Sequence, residues 1–383
     1  MQRPAIVPGF APKRTRATPR RDKIRPVKRL IIVSLLVILA SSTAAAQPPD
    51  LAPLEATIAR IVGRARGRVG VGLVHLESGT ALNVRGDERF PMASVVKLPI
   101  VIEVLAQVAE RRLSLDREVV LTASDIRPCC TLERRHPAGG TSRMVGELVE
   151  LAIIESDNTA ADALLKVVGG PEVVERRMRG YGFKGININR YEGQLLLDMA
   201  GVVGAPPPEE WTVDLQRRLV ADVDRDALNK GRAQYLSDER DTATPNDTVL
   251  LLNRLLFGNL LPERQTEFLL NLMMATRTGP RRIKDQLPPD VVVAHKTGTT
   301  AVVINDVGII SLPADSKIGG HVALAVYVAD GAGIRAMERT IAQISAAAFE
   351  FFSGKVLTPE PPPPKRARSQ RSATRRRAQS QAK

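Results

Sequence analysis

A serine and a lysine three residues apart are the first candidates for chemistry in this chain. Ser94 and Lys97 open a segment whose apolar residues, from Val96 onward, recur at helical spacing. Residues i and i+3 share one helix face, so the lysine would lie one turn above the serine hydroxyl. A hydroxyl is a weak nucleophile until a base takes its proton, and a desolvated lysine can be that base. The alternative is a capped helix with a solvated lysine, because Ser-x-x-Lys is common by chance.

Two later motifs add candidates for proton transfer and substrate binding. Ser156-Asp157-Asn158 follows an apolar segment of helical periodicity. Lys296-Thr297-Gly298-Thr299 follows the strand-like segment 291–294. Ser-x-x-Lys, Ser-Asp-Asn and Lys-Thr-Gly, in this order, form the signature set of class A β-lactamases and penicillin-binding proteins.

On these motifs the chain resembles a class A serine β-lactamase. Ser156 lies 62 residues after Ser94, which fits the family to within a couple of residues. Arg190-Tyr191-Glu192 puts a glutamate 36 residues after Ser156, where class A enzymes carry the Arg-x-Glu of their Ω loop. This fourth element separates the lactamases from the peptidases. The resemblance covers about residues 51–355.

The resemblance implies a catalytic set of five residues. Ser94 would form an acyl-enzyme with the β-lactam, and Lys97 would be the acylation base or a partner to it. Ser156 would relay a proton to the lactam nitrogen, with Lys296 beside it. Glu192 would activate the water that releases the product.

The resemblance also implies the groups that bind the substrate. The backbone N–H groups of Ser94 and Thr299 would form the oxyanion hole. Arg282 precedes Lys296 by 14 residues and could pair with the substrate carboxylate, or it could be a solvated arginine. The implied substrate-binding residues are Asn158, Thr297, Gly298, Thr299 and Arg282.

Two departures from the family pattern follow Glu192. Class A enzymes usually carry an asparagine four residues beyond the glutamate, where it helps to hold the hydrolytic water; here the residue is Leu196. Asp198 or Gln194 could substitute for it. The chain is also longer than typical members at 195–240, which we expect to form an extended loop plus a helix beside the site.

Three functions stay open at this point. The first is a β-lactamase that works through a Ser94 acyl-enzyme with Glu192 as the deacylation base. The second is a DD-peptidase-like penicillin-binding protein that acylates but releases slowly; Leu196 favours it and Glu192 opposes it. The third is an envelope binding protein that kept the fold without catalysis.

The helices and strands expected around these residues indicate an α/β fold. We expect an antiparallel sheet of about five strands flanked by helices, a mostly helical part, and the active site between them. The strand candidates are a hairpin within 69–84 and three segments within 291–329. Helical spacing predicts a first helix at 51–66 and a last helix at about 334–352. The sheet-bearing part would comprise about 51–92 and 260–355, and the helical part about 93–259.

Basic charge is concentrated at the two ends of the chain. The 383 residues carry a formal charge of +14, of which residues 1–46 carry +9 and residues 359–383 carry +7, leaving −2 for residues 47–358. A nearly neutral body opposes nucleic-acid binding by the folded domain. The Pro/Arg/Ser/Gln-rich end, 359–383, is expected to be a disordered tail.

The first 46 residues are typical of an export signal. Lys28-Arg29 precedes the apolar segment 30–40, and Ala44-x-Ala46 is a suitable cleavage site. An 11-residue apolar segment is too short to span a bilayer easily. We therefore expect cleavage after Ala46 and a periplasmic protein, with an uncleaved anchor as the alternative.

The cysteines and histidines of the chain indicate neither a disulfide nor a metal site. Cys129 and Cys130 are adjacent and are the two cysteines of the chain, and vicinal cysteines rarely bridge, so we expect no disulfide. The four histidines show no metal-ligand spacing. We expect no metal and no cofactor, a small β-lactam as the binding partner, and a monomer.

Overall fold

The computed structural model describes residues 49–357. The expected signal peptide, 1–46, and the expected disordered tail, 359–383, lie outside the described residues and stay predictions. Within 49–357, no helix is both long and apolar enough to cross a membrane.

The described strands form one large sheet and two short pairs. The large sheet has the order β2-β1-β9-β8-β7, with every neighbouring pair antiparallel, and β3 pairs with β6 and β4 with β5. The predicted five-stranded antiparallel sheet is confirmed. The strands are β1 (Arg68–His75), β2 (Thr80–Val84), β3 (Phe90–Pro91), β4 (Glu118–Leu121), β5 (Thr141–Met144), β6 (Thr242–Ala243), β7 (Val293–Thr299), β8 (Val303–Ser311) and β9 (His321–Ala329).

Most α-helices lie between β2 and β7 in the sequence. One further helix precedes β1 and another follows β9. The predicted first and last helices are present as α1 and α12. The helices are α1 (Ala52–Arg64), α2 (Lys97–Ala109), α3 (Cys130–Arg135), α4 (Val145–Ile154), α5 (Asn158–Val168), α6 (Pro171–Gly180), α7 (Glu192–Ala200), α8 (Val213–Ala221), α9 (Arg225–Ser237), α10 (Pro245–Leu256), α11 (Glu263–Met274) and α12 (Ile334–Ser353).

The sheet separates two hydrophobic cores. Successive side chains of a strand point to opposite faces, so on β9 Val326 packs with α1 and α12 while Tyr327 packs with the helical part. Gly72 of β1 lies so close to the carbonyl of Pro245 that a Cβ there would approach it to 2.6 Å. Helix α10, which the sequence assigned to the helical part, therefore starts directly against the sheet.

The insertion 195–240 is more helical than the expected loop plus helix. It holds most of α7 and all of α8 and α9. Asp224 caps α9 by accepting the N–H of Ala227 at 2.8 Å. Gly231 of α9 faces Gly201 at the end of α7, where a Cβ would lie 2.5 Å from the Gly201 nitrogen. This close approach packs α9 tightly onto α7.

The expectation that the two cysteines stay unbridged is wrong. Cys129 and Cys130 are joined in a vicinal disulfide. The backbone at Cys130 has a φ of 76°, in the left-handed region, and this turn lets adjacent side chains meet. The backbone that follows Cys130 is held by Asp157, whose carboxylate accepts the N–H groups of Thr131 and Leu132 at 2.9 and 2.8 Å.

Candidate active site

Ser94 lies in a turn of 3₁₀-helix, residues 93–96, which runs directly into α2. The α-helix therefore begins at Lys97 and not at Ser94. Residues i and i+3 eclipse in a 3₁₀ turn, and Lys97 Nζ lies 2.8 Å from Ser94 Oγ. Ala93, just before the serine, has a φ of 46°, a conformation that residues other than glycine rarely adopt.

The turn that carries Ser94 is fixed to the edge of the sheet. Asn305 of β8 donates through Nδ2 to the carbonyls of Pro91 and Met92 at 2.9 and 3.0 Å. Asn305 is the third residue of β8, which starts at Val303. On β7, a Cβ at Gly298 would run into the Met92 carbonyl. The glycine of Lys-Thr-Gly thus lets β7 approach the serine turn.

Lys97 is fully buried and surrounded by oxygen atoms. Its Nζ donates to Asn158 Oδ1 at 2.6 Å, to Ser94 Oγ at 2.8 Å and to the Ser156 carbonyl at 2.8 Å. An ammonium group has three N–H donors, and these contacts use all of them. Glu192 Oε1 lies 3.1 Å from Lys97 Nζ, yet within residues 49–357 it is buried without a hydrogen-bond donor.

Ser156 lies between two lysines. Lys296 Nζ donates to Ser156 Oγ at 2.9 Å and to the Thr297 carbonyl at 3.0 Å, while Lys97 Nζ is 3.4 Å from Ser156 Oγ. Burial, followed by the positive charge of Lys97, holds the pKa of Lys296 well below its usual range. A hydroxyl held between two such groups can pass a proton in either direction.

The residues on both sides of Gly298 line the same edge of β7. Thr297 Oγ1 is hydrogen-bonded to Thr278 Oγ1 at 2.5 Å, and Thr299 is exposed. Because β7 packs against the 93–96 turn, Thr299 and Ser94 come to one edge of the cleft. Their assignment as the oxyanion hole stays a prediction.

Arg282 is placed beneath β7 and is only 3% exposed. Its guanidinium donates to the carbonyls of Gly298 and Asn305 at 3.1 and 2.9 Å and to Thr299 Oγ1 at 2.7 Å. Arg282 therefore supports the strand from behind and reaches the cleft through the Thr299 hydroxyl. Its predicted contact with a substrate carboxylate stays a prediction.

The segment that carries Glu192 is closed by a buried ion pair. Arg190 Nε donates to Asp241 Oδ2 at 2.6 Å, and its Nη1 donates to Asp198 and Asp238 at 2.9 and 3.1 Å. Asp241 stands just past the insertion, so the pair joins the two ends of the extended loop. In the sequence, Asp241 could have been found from the segment Asp-Thr-x-Thr-Pro, residues 241–245, which it opens.

A second buried carboxylate positions the start of α7. Asp162 accepts the N–H of Glu192 at 2.6 Å, the N–H of Gly193 at 3.2 Å and Nε of Arg127 at 2.6 Å. Arg127 Cζ in turn lies 5.6 Å from the centroid of the Trp211 ring, which belongs to the insertion. The insertion therefore contacts the group that holds the Glu192 backbone.

Three residues around Glu192 were not predicted from the sequence: Asp162, Arg127 and Trp211. Asp162 lies four residues after Asn158 on α5, so helical periodicity alone could have placed both on one face. Arg127 stands in an irregular segment and offers no such signal. In the part of the chain that the structure describes, no group of three or more His, Cys, Asp or Glu side chains could hold a metal ion.

Comparisons with known proteins agree with this geometry. The model of the beta-lactamase enzyme family matches residues 53–352. The chain is 27% identical over 344 residues to beta-lactamase VEB-1 of Pseudomonas aeruginosa, covering 86% of this chain and 99% of that relative. It is 31% identical over 288 residues to a beta-lactamase of Mycobacterium tuberculosis, covering 75% and 82%.

Solved structures show the same fold. A crystal structure of a beta-lactamase from Chitinophaga pinensis has a TM-score of 0.64 at 30% identity and covers 78% of this chain and 99% of that chain. An ancestral class A beta-lactamase has a TM-score of 0.64 at 28% identity and covers 78% and 100%. These matches favour neither the slow penicillin-binding protein nor the envelope binding protein. The resemblance found in the sequence is confirmed: the chain belongs to the beta-lactamase enzyme family, as a class A serine β-lactamase.

Proposed function

We propose that the chain hydrolyses β-lactams in two steps through an acyl-enzyme on Ser94. In the first step Ser94 Oγ attacks the lactam carbonyl carbon, and its proton leaves through Lys97, as the base or as a partner to the base. The lactam C–N bond breaks, and the nitrogen takes a proton from the Ser156 hydroxyl, which the neighbouring lysines resupply. The 2.8 Å contact of Lys97 with Ser94 and the 2.9 Å contact of Lys296 with Ser156 support this path.

In the second step Glu192 acts as the general base for water. The water oxygen attacks the acyl carbon while Glu192 takes one of its protons, and the bond from that carbon to Ser94 Oγ breaks. Ser94 Oγ regains a proton from Lys97, and Glu192 returns its proton to Lys97 across their 3.1 Å contact. The observation that carries the proposal is Glu192 Oε1, which is buried beside Lys97 and has no donor within residues 49–357. A carboxylate oxygen in that position is free to accept a proton from water.

The binding roles follow from the edge of β7 and from α5. Thr297 and Thr299 would hydrogen-bond the substrate carboxylate and carbonyl, and the N–H groups of Ser94 and Thr299 would stabilise the oxyanion. Asn158, which already contacts Lys97 at 2.6 Å, would also bind the amide side chain of the substrate. Gly298 would allow the close approach, and Arg282 would hold the strand.

The test is the lifetime of the penicilloyl adduct, followed by mass spectrometry after mixing with penicillin. Glu192→Gln keeps the shape and removes the base, so acylation of Ser94 should persist and release should slow. Loss of a general base predicts a fall of about 10²-fold or more, or ~2.7 kcal/mol in the barrier to release. Equal lifetimes in the wild type and in Glu192→Gln would show that Glu192 is not the base.

We further propose that the enzyme is exported, works in the periplasm on small β-lactams and is a monomer. The basic residues and apolar segment before Ala46 support export. Expression in a Gram-negative host should give a periplasmic protein whose first residue is Gln47. A protein that keeps residues 1–46 and stays with the membrane would support an uncleaved anchor instead. Size-exclusion chromatography of the mature chain tests the monomer.

A further inference from the structure

Trp211 is the only tryptophan of the chain, and it lies in the insertion 195–240. Its side chain is buried, and the indole N–H donates to the Pro206 carbonyl at 2.8 Å. Its backbone N–H donates to the Pro208 carbonyl at 3.2 Å. Because each proline fixes its own φ, both bonds reach a stiff segment, 206–208. The insertion therefore holds this ring in one orientation.

The Trp211 ring packs against the residue that follows Glu192. A Cβ at Gly193 would approach Trp211 Cζ3 to 2.9 Å and Arg127 Nε to 2.6 Å. Arg127 Cζ lies 5.6 Å from the centroid of the Trp211 ring. A residue without a side chain is needed where the two groups come this close to the backbone. The ring, the guanidinium and Gly193 thus form one packed contact beside Glu192.

The carboxylate of Asp162 links this contact to the Glu192 backbone. One of its oxygens accepts Nε of Arg127 at 2.6 Å, and the other accepts the Glu192 N–H at 2.6 Å. Asp162, Arg127 and Trp211 are all buried. An ion pair is stronger where water is excluded from it, and the Trp211 ring takes the place of water against the guanidinium. Removing the ring should therefore loosen the pair that fixes the start of α7.

Helix α8 of the insertion gives the same segment a second support. Gln216 is fully buried, and its Nε2 donates to the Ile126 carbonyl at 3.0 Å. Ile126 directly precedes Arg127 in the sequence. Two side chains of the insertion thus contact residues 126–127, which in turn bond to Asp162. The insertion is therefore connected to the backbone of Glu192 by direct contacts at every step.

We propose that Trp211 is a positioning residue for the release step, which holds Glu192 in place through the Arg127–Asp162 pair. This inference rests on the proposed role of Glu192 as the general base, and it gives the insertion a part in the reaction. Trp211 gains and loses no proton in this role. It sets the position of the Glu192 carboxylate relative to the acyl carbon, where a misplacement of about 1 Å can cost about 10²-fold in rate.

The experiment compares acylation and release in Trp211→Leu, which removes the ring and keeps an apolar side chain. The penicilloyl adduct should live about 10-fold longer than in the wild type, because the base is held less well. The acylation rate should stay within about 3-fold, because Ser94 and Lys97 are untouched. Equal slowing of acylation and release would overturn the inference, since a general loss of structure affects both steps.

Phe352→Leu is the matched control for lost packing. It also replaces a buried aromatic side chain with leucine, but on α12 in the other hydrophobic core. Both variants should unfold at a lower urea concentration than the wild type, and Phe352→Leu should keep both rates within about 2-fold. Release as slow in Phe352→Leu as in Trp211→Leu would show that lost stability is the cause, and would overturn the role of the ring.

A double variant tests whether Trp211 acts through the proposed base. If it does, Glu192→Gln with Trp211→Leu should release within about 3-fold of Glu192→Gln alone. Multiplied effects of the two substitutions would overturn the inference, because Trp211 would then act on release by another route.

The same series distinguishes the two proposals. Release at the wild-type rate in Trp211→Leu, with slow release in Glu192→Gln, would overturn the role of Trp211 alone. Release at the wild-type rate in Glu192→Gln would overturn the proposed base, and the role of Trp211 with it.

Discussion

The two sides of the cleft are built in different ways. We call Ser94, Lys97, Ser156 and Lys296 the lysine side; its polar side chains bond one another at 2.8 to 3.4 Å. The side formed by α7 and the insertion, which we call the loop side, is held by buried ion pairs. Within residues 49–357 Glu192 Oε1 accepts no hydrogen bond there, although Lys97 Nζ lies 3.1 Å away.

The difference follows from the elements that carry each side. The lysine side stands on the 3₁₀ turn, the start of α2, the segment just before α5 and the strand β7, and both of its lysines are fully buried. The loop side depends on Arg190 meeting Asp241 and on Arg127 meeting Asp162 across long sequence separations. We therefore expect acylation to tolerate changes in the insertion and release to be sensitive to them.

The largest effect should come from the lysine side. Ser94→Ala removes the nucleophile, so penicillin should leave no covalent adduct and turnover should fall by about 10⁴-fold or more. Ser94 is only half-buried, so the protein should stay folded. Mass spectrometry and thermal unfolding measure the two effects, and an adduct in this variant would contradict the assignment.

On the loop side, Asp241→Asn should cost both stability and release. It leaves the Arg190 guanidinium without its buried partner, which predicts a loss of about 3 kcal/mol in the free energy of unfolding. Release should slow more than acylation, because Arg190 anchors the segment of Glu192. Urea denaturation and adduct lifetimes measure these effects.

The matched control for Asp241→Asn is Glu110→Gln, which breaks the exposed Arg177–Glu110 contact at 2.7 Å and should cost less than about 1 kcal/mol. Equal losses in the two variants would show that the buried pair does not hold the loop.

The pH dependence of acylation should reveal the lowered pKa of Lys296 on the lysine side. Since burial and the charge of Lys97 lower the pKa of Lys296, Lys296 loses its proton at a lower pH than an ordinary lysine as the pH rises. The alkaline limb of kcat/KM should therefore lie below about pH 10.4, the usual lysine value. In Lys296→Arg the guanidinium stays charged, and the limb should move to higher pH. A limb at the same pH in both proteins would exclude Lys296 as its source.

The smallest effect should come from restoring the family residue. Leu196→Asn adds an amide one turn after Glu192 and should shorten the adduct lifetime by about 3-fold, the worth of one modest hydrogen bond. Slower release in Leu196→Asn would mean that the insertion leaves no room for the amide.

The local motifs were predictable from the sequence because their chemistry depends on short spacings. Ser94 and Lys97 share a face through i,i+3 spacing, and Lys296 lies in a strand that its β-branched neighbours predict. The hairpin, the three later strands and the terminal helices of the domain followed from periodicity in the same way.

Contacts between distant parts of the chain were decided only by the tertiary structure. Asp162 meets the Glu192 backbone, Arg127 meets Trp211, and Gly231 of α9 packs on Gly201, none of which a spacing or a periodicity specifies. The vicinal disulfide depends likewise on a left-handed backbone at Cys130 that is set by its surroundings. Local order fixes which residues share one element, whereas packing of the cores sets which elements meet, and on the loop side every group that holds Glu192 depends on the latter.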